Sequence, residues 1–122
     1  MTAAREQDHA IDYVELTVPD LDLAQRFYAD AFGWAFTVHG PEYAGFRTPG
    51  RDRESGGLRY DAAGPRPGGP LVLLFATDLD RTADAVRAAG GQVTEGPYPF
   101  PGGRRFHFRD PAGNELGAWS EA

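Results

Sequence analysis

The sequence predicts an α+β protein built from two tandem βαβββ modules, each with a helix over one face of a small mixed sheet. Three observations predict it: an internal repeat, the same strand-to-helix grammar in both copies, and a Pro- and Gly-rich segment between them. Sliding the chain by 58 positions lays Tyr13–Gly33 on Leu71–Gly91 without a gap. Leu16 then meets Leu74, and Asp20-Leu21-Asp22 meets Asp78-Leu79-Asp80. Ala31 meets Ala89, and Gly33 meets Gly91. A repeat of this length marks a duplicated supersecondary unit.

Each copy opens with a strand. In Tyr13-Val14-Glu15-Leu16-Thr17-Val18, apolar Val14, Leu16 and Val18 alternate with Tyr13, Glu15 and Thr17. A period of two sends the two sets to opposite faces. In Leu71–Ala76 both sets are apolar, which predicts a strand buried on both sides. A helix follows in each copy. Asp20 and Asp78 are suitable N-caps, and Asp22 and Asp80 place negative charge in the first turn, where the helix dipole favours it. Leu23, Phe27 and Ala31, with Ala24, Tyr28 and Phe32, form an apolar stripe at helical spacing. Gly33 and Gly90-Gly91 end the helices.

Three short strands complete each module: Trp34–His39, Tyr43–Thr48 and Gly57–Asp61, then Gln92–Glu95, Arg104–Arg109 and Glu115–Trp119. Residues 51–55 read as a charged loop. Residues 62–70 read as a linker, because their Pro and Gly forbid helix and interior strand. Pro97-Tyr98-Pro99-Phe100-Pro101 reads as a stiff loop, a crossover ahead of a lid. Gly56-Gly57 and Gly102-Gly103 are turns, since neither has the lysine or the helix that a phosphate loop requires. The reading is one domain over 1–122, with modules at about 11–62 and 71–120.

Composition removes several function classes. The 122 residues include no Cys, so disulfides, thiolate metal sites and a Cys nucleophile are excluded. The longest apolar run, Leu71–Ala76, is far short of the roughly 20 residues that cross a bilayer. Met1–Asp8 contains no apolar leader core. Twelve basic against 18 acidic residues give a net charge of -6, which argues against a nucleic-acid partner. A cationic or neutral small molecule suits that charge better. These features suggest a cytoplasmic protein.

The opening Tyr13-Val14-Glu15-Leu16-Thr17-Val18-Pro19-Asp20-Leu21, the later Arg26-Phe27-Tyr28 with Phe32-Gly33-Trp34, and the closing Asp110-Pro111-Ala112-Gly113-Asn114 turn occur in order. Together they resemble the vicinal oxygen chelate superfamily of glyoxalases, bleomycin-resistance proteins and extradiol dioxygenases, over about residues 11–119. The resemblance implies a cup-shaped mixed sheet around a cavity, helices on the convex face, and a homodimer. It also implies metal ligands in the metal-dependent members: a His on the first strand of each module and a Glu late in each module. The corresponding positions here are Tyr13, Leu71 and Gly117, and the region Leu58–Tyr60 offers no Glu. No cofactor is therefore expected; a divalent metal held by Glu15, His107 and Glu115 is the reading that would overturn this.

Alternation and the family register put Tyr13, Glu15 and Thr17 into the cup from the first module. Leu71, Leu73, Phe75, Glu115, Gly117 and Trp119 join them from the second. Arg105, His107 and Arg109 share one face of their strand, opposite Phe106 and Phe108. The expected ligand-binding set is Tyr13, Glu15, Leu71, Leu73, Phe75, Arg105, His107, Glu115 and Trp119. Each has a plainer reading beside it. Glu15 is a cavity carboxylate or the solvent face of a half-exposed sheet. His107 is a general base or a surface histidine paired with a carboxylate. Arg105 bridges Glu15 or Glu115, or grips an anionic ligand. Tyr13 is a wall or hydrogen-bond donor, and Trp119 stacks on a planar ligand. His39 reads as a loop residue. Two functions remain: a metal-free binding protein for a small organic molecule, or an enzyme in which His107 or Glu15 moves protons.

Overall fold

The computed structural model describes residues 8–122; residues 1–7, which carry most of the segment read for a leader, lie outside them. The chain runs β1 (Val14–Val18), α1 (Leu21–Phe32), β2 (Ala35–Val38), β3 (Tyr43–Arg47), β4 (Gly56–Tyr60), β5 (Val72–Phe75), α2 (Leu79–Ala88), β6 (Gln92–Phe100), β7 (Gly103–Arg109) and β8 (Glu115–Ser120). These are two βαβββ modules. The first forms a sheet in the order β1-β4-β3-β2, here sheet A, and the second forms sheet B in the order β5-β8-β7-β6. The opening strand of each pairs in parallel with the last strand of its module, and the other pairings are antiparallel. Each sheet is therefore mixed.

The repeat predicted the helix starts. The Asp20 side chain accepts from Leu23 N at 3.0 Å, and Asp78 accepts from Arg81 N at 3.1 Å. Each satisfies one donor of a first turn that has no partner inside its helix. Gly33 closes α1 in the left-handed conformation.

Gly56-Gly57, read as a turn, opens β4 instead, and two strand readings also need correction. β6 does not stop at Glu95 but continues through Pro97 and Pro99 to Phe100, where a stiff loop was expected. Proline is tolerated there because β6 is an edge strand and its pairing with β7 is irregular between Val93 and Tyr98. β5 is not buried on both sides: Leu73 and Phe75 are 38% and 57% exposed. The strand lies at an edge, and its outer face is not packed into the core.

The core explains why. α1 contributes Ala24, Phe27 and Tyr28, and α2 contributes Leu79, Ala83 and Val86. Sheet A contributes Leu16, Val18, Phe46 and Leu58 from one face, and sheet B contributes Phe106, Phe108, Leu116 and Ala118. All belong to one cluster, so the inner faces of both sheets share a helix-filled core. Each fully buried Phe or Leu adds about 1.5–3 kcal/mol of transfer free energy. A polar latch ties the modules together. Buried Asp110 accepts from Tyr28 Oη at 2.7 Å and from the backbone N–H groups of Ala112 and Asn114 at 2.9 and 2.8 Å. Asn114 Nδ2 donates to the Thr17 carbonyl at 2.9 Å. Thus the Asp-Pro-x-Gly-Asn turn of the second module grips α1 and β1 of the first. Burial, then the charge of Asp110, pushes the Tyr28 phenol well above its ordinary pKa.

Candidate functional site

With both inner faces committed to the core, the chemistry lies on the outer faces. On sheet A, Tyr13 immediately precedes β1, β1 carries Glu15, β3 carries Tyr43, and the following loop brings Glu54. Tyr13 Oη donates to Glu54 Oε1 at 3.0 Å. Glu54 Oε2 lies 2.6 Å from His39 Nε2. Tyr43 has one proton for two acceptors, Glu15 Oε2 at 2.8 Å and Tyr13 Oη at 3.1 Å. The carboxylate is nearer and the stronger acceptor. His39, Glu54, Tyr13, Tyr43 and Glu15 thus form one continuous string. Burial raises both phenol pKa values, and for Tyr43 the bonds to Tyr13 and Glu15 raise it further. The His39 bond holds the Glu54 carboxyl below its ordinary range. Gly57 makes the string possible, because a Cβ there would strike the Tyr43 hydroxyl.

On sheet B the register draws rows across the strands. Tyr98 pairs with Arg105, Arg105 with Trp119, and Trp119 with Phe75, one residue from each of the four strands. The next row is Glu95, His107, Gly117 and Leu73. His107 Nε2 lies 2.9 Å from Tyr98 Oη and 3.5 Å from Arg105 Nη2. The other ring nitrogen, Nδ1, faces Glu115 Oε2 at 3.6 Å. The Arg105 guanidinium carbon sits 5.8 Å from the Tyr98 ring centre and 5.7 Å from that of Phe100. Trp119 meets Phe75 edge-on at 5.2 Å and Phe100 at 6.2 Å.

The expected site residues therefore fall into groups. Tyr13, Glu15, Leu71 and Glu115 share a crevice of about 850 Å³ beside the linker prolines. Leu73 and Phe75 line a second depression that also touches Trp34. Arg105, His107 and Trp119 lie in the sheet B rows and line neither. Arg105 bridges neither Glu15 nor Glu115; its contacts are His107 and two aromatic rings. Sequence reasoning missed Tyr43, Glu54 and Tyr98 and gave His39 no role. The available signals were Tyr43 on an expected strand and the acids Asp52 and Glu54 in the charged loop 51–55; Tyr98 fell in the expected stiff loop.

The metal implied by the resemblance does not fit these residues. The first-strand positions carry a phenol at Tyr13 and a hydrocarbon at Leu71. Gly117 has no side chain to ligate with, and a Cβ there would lie 2.6 Å from a Leu73 methyl and 3.0 Å from the Phe106 carbonyl. Among the described residues no three His, Asp or Glu side chains cluster to hold an ion. Among the same residues, no helix is long and apolar enough to cross a membrane.

Comparison with known proteins agrees with this architecture. An uncharacterized protein of Mycolicibacterium smegmatis is 29% identical over 109 residues, covering 89% of this chain and 91% of its own. The crystal structure of TnmS3, an antibiotic-binding protein from Streptomyces, superposes with a TM-score of 0.69 at 25% identity, over 93% of this chain and 96% of that one. A family enzyme from Burkholderia phytofirmans shares the fold with a TM-score of 0.77 at 18% identity, over 92% and 98% of the two chains. The family model described as Glyoxalase/Bleomycin resistance protein/Dioxygenase superfamily matches residues 10–117. With the paired βαβββ modules, that match makes this chain a member of the glyoxalase/bleomycin resistance protein/dioxygenase superfamily.

Proposed function

We propose that this chain binds a small organic molecule on the outer face of sheet B, without a metal. The observation that carries the proposal is the exposed wall of Leu73 and Phe75 beside Trp119 and Phe100, bordered by polar Tyr98, Arg105, His107 and Glu115. Exposed aromatic surface bordered by a few oriented polar groups suits an organic ligand. The TnmS3 likeness supports a binding role, and the misfit of the metal positions supports a metal-free one. The sheet A string, with Tyr13 and Glu15, supplies a second polar wall when two copies pair. β1 and β5 each leave one edge unpaired, which favours such a homodimer. We place the protein in the cytoplasm on its cysteine-free composition.

The test is a tryptophan-fluorescence titration of chelator-treated protein with planar aromatic compounds. Trp34 touches the Leu73–Phe75 depression, so Trp34→Phe is titrated alongside; saturable quenching should persist in it and vanish in Trp119→Phe. Quenching that never saturates would remove the binding reading. Sedimentation of the same samples should give twice the chain mass; a monomer at all concentrations would remove the pairing.

A second reading is favoured by the alignment of Glu115, His107 and Tyr98. A phenol against an imidazole that is itself oriented by a carboxylate is competent to move a proton. In that case a bound ligand should exchange an acidic C–H with deuterated water, and His107→Ala should stop the exchange while binding persists. Equal exchange in both proteins would exclude His107.

A further inference from the structure

We infer that sheet B selects planar aromatic ligands bearing an anionic oxygen, and that Arg105 is the selecting residue. The inference deepens the binding reading above and rests on it. Arg105 differs from the paired arginines of this chain, Arg53 with Asp12 among them. Arg87 and Arg104 have carboxylate partners, and Arg47 and Arg59 bond to threonine hydroxyls. Arg105 pairs with no carboxylate among the described residues, and its Nε is buried without an acceptor. Its one polar contact, Nη2 to His107 Nε2, is long at 3.5 Å and shares that nitrogen with Tyr98.

A buried guanidinium N–H without an acceptor is costly, and an anionic oxygen is the acceptor that compensates best. The surroundings fix the rest of the ligand. Tyr98, Trp119 and Phe75 continue the row that Arg105 belongs to, and Phe100 lies against both Arg105 and Trp119. A flat ring can therefore lie along the row with its oxygen at the guanidinium. Tyr98 and His107 stand beside that position as a hydroxyl and an imidazole. The net charge of -6 repels anions at long range, but screening over roughly 8 Å at physiological salt confines the effect. Selection is then a short-range property of this row.

Three matched probes test it: 2-naphthoate, neutral 2-naphthamide and cationic 2-naphthylmethylammonium. The carboxylate should bind at least roughly tenfold tighter than the amide, as one charge-assisted bond provides. The cation should bind weakest. Arg105→Gln should bring naphthoate down to the amide's affinity, so that the ratio between the two falls to about one. Arg105→Lys keeps the charge without the planar fork and should fall between. Circular dichroism of each variant checks folding. If all three probes bind wild type alike, or Arg105→Gln and Arg105→Lys both leave their ratios unchanged, anion selection is overturned while binding stands. If none binds, the binding reading falls and this inference with it.

Discussion

The two modules fold alike and do opposite things with their outer faces. Gly57 stands opposite Glu15 on sheet A, and Gly117 stands opposite Leu73 on sheet B, at equivalent places in the register. Over Gly57 lies the Tyr43 hydroxyl; over Gly117 lies a Leu73 methyl. Sheet A uses its space for a string of polar groups that satisfy one another. Sheet B leaves apolar surface exposed and a guanidinium N–H without an acceptor. A duplicated backbone thus carries two different chemistries, and the face that does not satisfy itself is the better ligand site.

The widest break in this comparison comes from the frame both faces share. Asp110→Ala removes the acceptor of the Tyr28 hydroxyl and of two backbone N–H groups. The expected loss is about 3 kcal/mol or more, since buried donors are left unsatisfied. Unfolding in urea, followed separately by Trp34 in the first module and Trp119 in the second, measures it. Single-tryptophan proteins should give coincident transitions, because one core serves both modules. Two separated transitions would mean that each face rests on an independent unit.

A smaller effect compares the two glycines directly. Gly57→Ala should cost about 1–3 kcal/mol, because the new methyl strikes a rigid tyrosine already bound to Glu15. Gly117→Ala should cost less. Its nearest obstacle is a methyl of half-exposed Leu73, which can turn aside, although the Phe106 carbonyl at 3.0 Å keeps the fit tight. Equal losses in denaturant midpoints would deny that the two faces are filled by differently yielding groups.

Much of the frame was legible in the sequence, because local rules and the tertiary structure agree there. Asp20 and Asp78 cap the helices they were expected to cap, and the Phe106/Phe108 alternation turned the right pair inward. The strand through Pro97 and Pro99 was not legible. Proline excludes interior strands, and whether a strand is an edge is a property of the whole sheet. The outer-face clusters were half legible. Alternation placed Glu15 and His107 on outer faces, but their partners arrive from other elements. Glu54 lies 15 residues from His39 and 41 from Tyr13, and no local spacing announces such a meeting. Leu73 and Phe75 misled for a related reason: an apolar alternation does not say whether the surface it makes is covered by its own chain.

The finest distinction between the faces is their response to pH. Glu54 has its pKa lowered first by the His39 bond, so the folded state binds fewer protons than the unfolded state just below the ordinary value of 4.5. Stability from this group is present above that value and is lost as pH falls through the folded pKa. Tyr13 and Tyr43 have raised values, first through burial, so their contribution is present below the ordinary value of 10.0 and declines as pH rises above it. Tyr28 contributes to the same alkaline decline from the core. Denaturant midpoints measured across the pH range should therefore form a plateau with an acid and an alkaline edge. Tyr13→Phe with Tyr43→Phe should soften the alkaline edge without removing it, since Tyr28 remains. An alkaline edge that stays where it is in that double variant would mean that the sheet A phenols are not coupled to folding.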